Sequence, residues 1–144
     1  MPELNNELQT AITFIPECLA AGYIDLSTGM LLGVVSVDSQ PAEVVELLAA
    51  ATADLFCGVN VQIIENIFRK TRGLKEGSGH YFQEIIVNST SLMHIFIRAT
   101  NQDQVACFVC RKSVNLGMAL TKARMSMAAL ESAAEAAFPQ VASL

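Results

Sequence analysis

Apolar residues Leu4, Leu8, Ile12, Ile15 and Leu19 recur at helical spacing, and Pro16 limits how far the turn can continue. The pattern predicts a helix from about Glu3 to Phe14. Two β-prone runs follow, Leu19 to Leu26 and Met30 to Asp38, on either side of Ser27-Thr28-Gly29. They read as a hairpin, with Val34, Val35 and Val37 favouring the extended chain because they branch at Cβ. Asp38-Ser39-Gln40-Pro41 stops the second strand and supplies both a capping residue and a first-turn proline. A long helix is expected from about Pro41 to Lys70. One stripe along it is Val44, Leu48, Ala51, Leu55, Val59, Ile63 and Ile67. A second, beside the first, is Val45, Ala49, Ala53, Phe56 and Ile64. Together they make an apolar face wider than packing on one sheet demands. Gly58 sits in the middle, where it marks a close approach or a slight bend.

Lys70 to Gly79 is polar and glycine-rich and reads as an exposed loop. Three further strands are expected: Tyr81 to Asn88, Leu92 to Thr100 and Gln104 to Lys112, separated by Ser89-Thr90-Ser91 and Asn101-Gln102-Asp103. In the middle one, Met93, Ile95 and Ile97 alternate with Leu92, His94, Phe96 and Arg98. From Ser113 onward, Leu116, Leu120, Ala123, Met127, Leu130, Ala134 and Ala137 recur at gaps of four and three, an amphipathic helix ending near Phe138-Pro139. The element order is α-β-β-α-β-β-β-α. No repeat, low-complexity tract or linker interrupts it, so residues 1–144 read as one domain with its core between about residues 4 and 137.

Composition sharpens this picture. Of 144 residues, 52% are hydrophobic and only 16% charged, against about a quarter charged in an ordinary globular chain. A monomer this short of polar residues leaves apolar surface for another chain to cover. The net charge of -5 argues against nucleic acid as the main partner. No window holds the roughly 18 uninterrupted apolar residues of a membrane span, and Met1 to Asn6 lacks the features of a signal peptide. The expected location is the cytoplasm, where Cys18, Cys57, Cys107 and Cys110 read as reduced, buried thiols.

The chain resembles the roadblock dynein-light-chain family, related to longin and profilin-like domains. The resemblance rests on the element order, the Gly22-Tyr23-Ile24-Asp25 strand with its turn at Gly29, the alanine-rich helix from Ala42 to Ala53, and Val114-Asn115-Leu116-Gly117 opening the last helix. It implies an α+β sandwich with a five-stranded antiparallel sheet. It also implies a non-enzymatic module without cofactors, which pairs through its long helices and adjacent edge strands. Partners in the family include small Ras-like GTPases and motor or signalling assemblies. Some bacterial members stimulate GTP hydrolysis by shaping the GTPase. On this chain the candidate dimer interface is Val44, Leu48, Ala51, Leu55, Val59 and Ile63. The candidate contact for an acidic partner is the basic cluster Arg69, Lys70, Arg72 and Lys75.

Other candidate chemistry is sparse. Cys107-Phe108-Val109-Cys110 is a C-x-x-C, but in a strand positions three apart face opposite sides, so it does not form a redox or zinc pair. His94 has no carboxylate or cysteine at ligand spacing, and His80 follows a glycine loop. No phosphate-loop motif occurs. Lys122, Arg124, Glu131 and Glu135 read as solvating residues on the last helix. The competing functional reading is a profilin-like domain that senses a small molecule, which a pocket with polar lining would favour.

Overall fold

Alternation along the strands and three-four spacing along the helices give each element one apolar side, and the fold stacks those sides into three layers. The structure, a computed structural model, describes residues 2–38, 42–73, 82–100 and 102–139, the side chains of Pro2 and of residues 42–46 excepted. Its elements are α1 (Pro2–Phe14), β1 (Cys18–Asp25), β2 (Met30–Ser36), α2 (Ala42–Cys57), α3 (Val59–Arg72), β3 (Glu84–Asn88), β4 (Leu92–Arg98), β5 (Gln104–Arg111) and α4 (Leu116–Ala137). The strands form one antiparallel five-stranded sheet in the order β2-β1-β5-β4-β3.

Neighbouring residues of β1 serve opposite faces. Tyr23 joins Leu4, Leu8, Ile95, Phe108 and Leu130 in the larger core, between the sheet and the α1–α4 layer. Ile24 joins Leu26, Ala49, Phe56, Phe96 and Val105 in a smaller core beneath α2. The α1 helix lies so close to β2 that a Cβ on Gly33 would stand 2.9 Å from the Asn5 Oδ1 and 3.1 Å from a Leu4 methyl, so a larger residue there would push those side chains aside. Asn115 caps α4 by accepting the Met118 amide at 3.0 Å, which explains the asparagine that opens the asparagine-leucine-glycine step. Of the stripe expected on α4, Ala123, Met127, Leu130 and Ala134 are buried.

Two expectations need correction. The single long helix is divided: Gly58 adopts φ -59° and ψ 161°, closing α2 and opening α3. A Cβ there would sit 2.6 Å from the Asp54 carbonyl oxygen, closer than real Cβ atoms come to backbone, so the bend needs glycine. Nor is the outer face of α4 merely solvating. Arg124 grips Glu84 on the edge strand β3 with two hydrogen bonds of 2.7 Å, and Glu131 accepts the Thr100 amide. The Arg124 guanidinium holds the Glu84 carboxyl below its ordinary value. Lys75, His80 and Tyr81 lie outside the described residues, and β3 begins at Glu84.

Candidate functional site

The two apolar stripes of the long helical segment part company in three dimensions. Ala49 and Phe56 of the second stripe are buried on the sheet, with Thr52 between them. Leu48, Leu55, Val59, Ile63 and Ile67 of the first stripe point outward and are between 42% and 75% exposed; Ala51 is exposed as well. The side chain of Val44 lies outside the described residues. Leu47 and Ile64 widen the ridge, so α2 and α3 together present a band of apolar side chains to solvent. Ile64, which sequence spacing placed in the second stripe with Ala49 and Phe56, is exposed instead; it lies beyond the bend at Gly58.

The bend is held from below. Arg98, with its side chain 3% exposed, donates to Asp103 at 2.9 Å and to the Phe82 carbonyl oxygen at 3.4 Å. Its guanidinium also lies 5.5 Å from the centre of the Phe56 ring and 3.9 Å from the Cys57 sulfur. One cation on β4 therefore fixes the last turn of α2, one residue before the chain bends. Burial and the Asp103 carboxylate push the Cys57 thiol up, with Arg98 opposing them, so this cysteine is held as a thiol. Strand alternation placed Arg98 only as a residue on the same side as Phe96; its role at the bend joins positions 41 apart and has no sequence signal.

The basic cluster is not a uniform patch. Arg69 turns back toward the buried Glu65, 3.7 Å away, and donates to Asn66 at 2.9 Å. Arg72 lies over the Phe68 ring at 4.8 Å. Lys70 and Arg72 are exposed at the end of the apolar band, where cations suit the negative end of the helix dipole.

Beside α2, the sheet is not fully covered. A groove of about 520 Å³ runs between α2 and the strands, lined by Leu48, Thr52, Ala20, Val34, His94 and Val109 among others. Its polar contributions come from Thr52, whose hydroxyl donates to the Leu48 carbonyl at 2.8 Å, from His94, and from Ser36 and Asp38 at one end. Burial pushes the His94 imidazole below its ordinary value, so it is neutral near pH 7. The C-x-x-C is split as expected: Cys110 belongs to the α1–α4 core, while Cys107 packs against the core under α2 and lines the groove. Among the described residues, no three His, Cys, Asp or Glu side chains converge as metal ligands do.

By length and mean hydropathy alone, Leu47–Arg72 could cross a bilayer, and only 17% of its most apolar window is buried within the fold. It is bent at Gly58, and Asn60, Gln62, Glu65 and Asn66 interrupt its second half.

No protein-family model matches the chain, and no curated protein does. Solved structures do match it. An MglB in a tetrameric arrangement superposes with a TM-score of 0.73 at 16% identity, over 95% of this chain and 91% of that one. The gliding protein MglB of Thermus thermophilus gives 0.68 at 18% identity, over 94% and 90%. A Roadblock/LC7 domain from Streptomyces avermitilis gives 0.65 at 12% identity, over 90% and 96%. The chain therefore has a roadblock/longin-like fold, as the element order implied.

Proposed function

We propose that this chain is a non-enzymatic, cytoplasmic interaction module of roadblock type: one domain that pairs with a second copy and offers the pair to a protein partner, a small Ras-like GTPase or a motor or signalling assembly. The observation that carries this reading is the exposed apolar band on α2 and α3. Burying a side chain such as valine, leucine or isoleucine contributes about 1.5–3 kcal/mol, so a row of them left in water is a strong drive to associate. The edge strand β3, with Ile86 and Val87 part-exposed, supplies backbone groups that a neighbouring strand can use. The comparison with an MglB in a tetrameric arrangement supports self-association as a habit of this fold. Lys70 and Arg72, at the end of the band, and Lys75 beyond it are the candidate contacts for an acidic partner.

The test is the oligomeric state. Size-exclusion chromatography with light scattering at micromolar concentration should give a dimer or a higher even assembly. Val59→Asp should turn it into a monomer with an unchanged far-UV spectrum, since Val59 is 75% exposed and its fold does not depend on it. A wild-type chain that is monomeric throughout, or that is recovered with lipid vesicles instead, sinks the reading. The groove beside α2 favours a second one, a small-molecule sensor, because its volume lies in the range of roughly 300–1,000 Å³ typical of such sites. A thermal-shift screen of metabolites separates the two, and stabilisation of a monomer by one compound would favour the sensor.

A further inference from the structure

The geometry points to Cys18 and Cys110 as a redox-active dithiol that closes into a cross-strand disulfide. They are 92 positions apart in the chain and directly opposite each other in the β1–β5 ladder. Both side chains lie in the same core, on the α1–α4 side of the sheet. The Arg111 amide donates to the Glu17 carbonyl oxygen at 3.0 Å, one residue outside the pair on each strand. That bond makes Cys18 and Cys110 a non-hydrogen-bonded pair, the kind in which facing Cα atoms approach to about 4.5 Å and side chains are closest. A disulfide spans Cα separations of roughly 4.4–6.8 Å, so the rung suits one without moving the strands apart.

The two sulfurs already interact. The Cys18 hydrogen has two acceptors in reach, the Ala20 carbonyl oxygen at 3.3 Å and the Cys110 sulfur. Donation to Cys110 favours its thiolate and holds Cys18 in the thiol form. Either sulfur of the pair can attack an oxidant, with the other resolving. No third ligand stands with them among the described residues, which separates the pair from a metal site.

Access comes from the position of the pair at the end of the ladder. Register slips between Cys18 and Ala20, and Glu17 adopts φ 53°, a left-handed conformation that non-glycine residues adopt at a cost. The turn is held by the Arg111 amide and by Ser113, whose hydroxyl donates to the Glu17 carboxylate at 2.8 Å. Cys110 is fully buried and Cys18 7% exposed, so oxidation requires a local opening at this end of the ladder, beginning with these two bonds.

The oxidant is a hydroperoxide. One of the two sulfurs, as thiolate, attacks one peroxide oxygen, the O–O bond breaks, and the departing hydroxide takes a proton to leave as water. The resulting sulfenic acid is attacked by the other sulfur; the S–S bond forms, the S–O bond breaks, and hydroxide leaves as water with that thiol's proton. For hydrogen peroxide, two thiols and one peroxide give one disulfide and two waters, and the two sulfurs lose the two electrons that the peroxide gains.

The experiment treats the purified full-length chain with hydrogen peroxide, blocks remaining thiols with a maleimide under denaturing conditions, and maps the products by peptide mass spectrometry. The expected product is a Cys18–Cys110 linked peptide, abolished by dithiothreitol, with Cys57 and Cys107 alkylated. A Cys107→Ser variant should give the same link. Four alkylated cysteines after oxidation, a link through Cys107 or Cys57, or one of the two advancing to sulfinic acid with the other still free would each overturn the assignment. The readout is a bond within one chain, so it stands or falls independently of whether the chain dimerises.

Discussion

Arg98 illustrates how one side chain sets the geometry of a distant surface. It is buried, charged and satisfied by Asp103, the Phe82 carbonyl and the ring of Phe56, so removing its head leaves those acceptors to find water. Arg98→Met keeps the stem and removes the donors; it should lower stability by about 2 kcal/mol, read as a shift in the urea midpoint. An unchanged midpoint would mean that Asp103, itself 42% exposed, is served by solvent instead. His94 makes a different prediction. Burial depresses its folded-state value below the ordinary 6.5, so as pH falls the unfolded chain takes up the proton first. Its contribution to stability is complete above about pH 6.5 and is lost as pH falls through the lowered folded-state value. The midpoint of His94→Gln should fall less than that of wild type over this range; parallel losses would place the titrating group elsewhere. In sequence, His94 read as a core or surface residue of a strand. Its place on the groove wall was invisible there, because the wall is assembled from four strands and a helix.

At the scale of elements, the strands and helices followed from patterning because side-chain period is a local property. The division of the long helix at Gly58 was signalled by the glycine itself, and its size was not. Sequence gives glycine a cost of about 1 kcal/mol in a helix, whereas the full break arises from steric closure of the backbone against Asp54. Gly58→Ala sets these terms against each other. The clash should outweigh the gain in helix propensity and cost about 1–3 kcal/mol by urea denaturation. A variant that is both more helical by circular dichroism and more stable would show that the bend is dispensable. Register is the other element-level lesson. The C-x-x-C was readable as two outward-diverging thiols, since three positions along a strand reverse the face. The pairing of Cys110 with Cys18 depends on which strand lies beside β5, and the turns between elements do not encode that neighbour.

For the whole molecule, the shortage of charge and the double apolar stripe predicted an excess of apolar surface, and Leu48, Leu55, Val59 and Ile63 are exposed on α2 and α3. If two chains share this surface, folding and association are linked, and the thermal midpoint of wild type should rise with protein concentration by mass action. The midpoint of Val59→Asp should not. A wild-type midpoint independent of concentration over two decades would count against a dimer on this face. What the sequence determined alone is the set of elements, their order and the excess of apolar surface, because each depends on residues within a few turns of one another and on composition. Tertiary structure decided which stripe faces the sheet, where Arg98 anchors the bend, how the groove opens and which cysteines meet. Those outcomes depend on contacts between segments far apart in the chain, and they are fixed only when the sheet order and the close approach of backbones leave each side chain a single place to go.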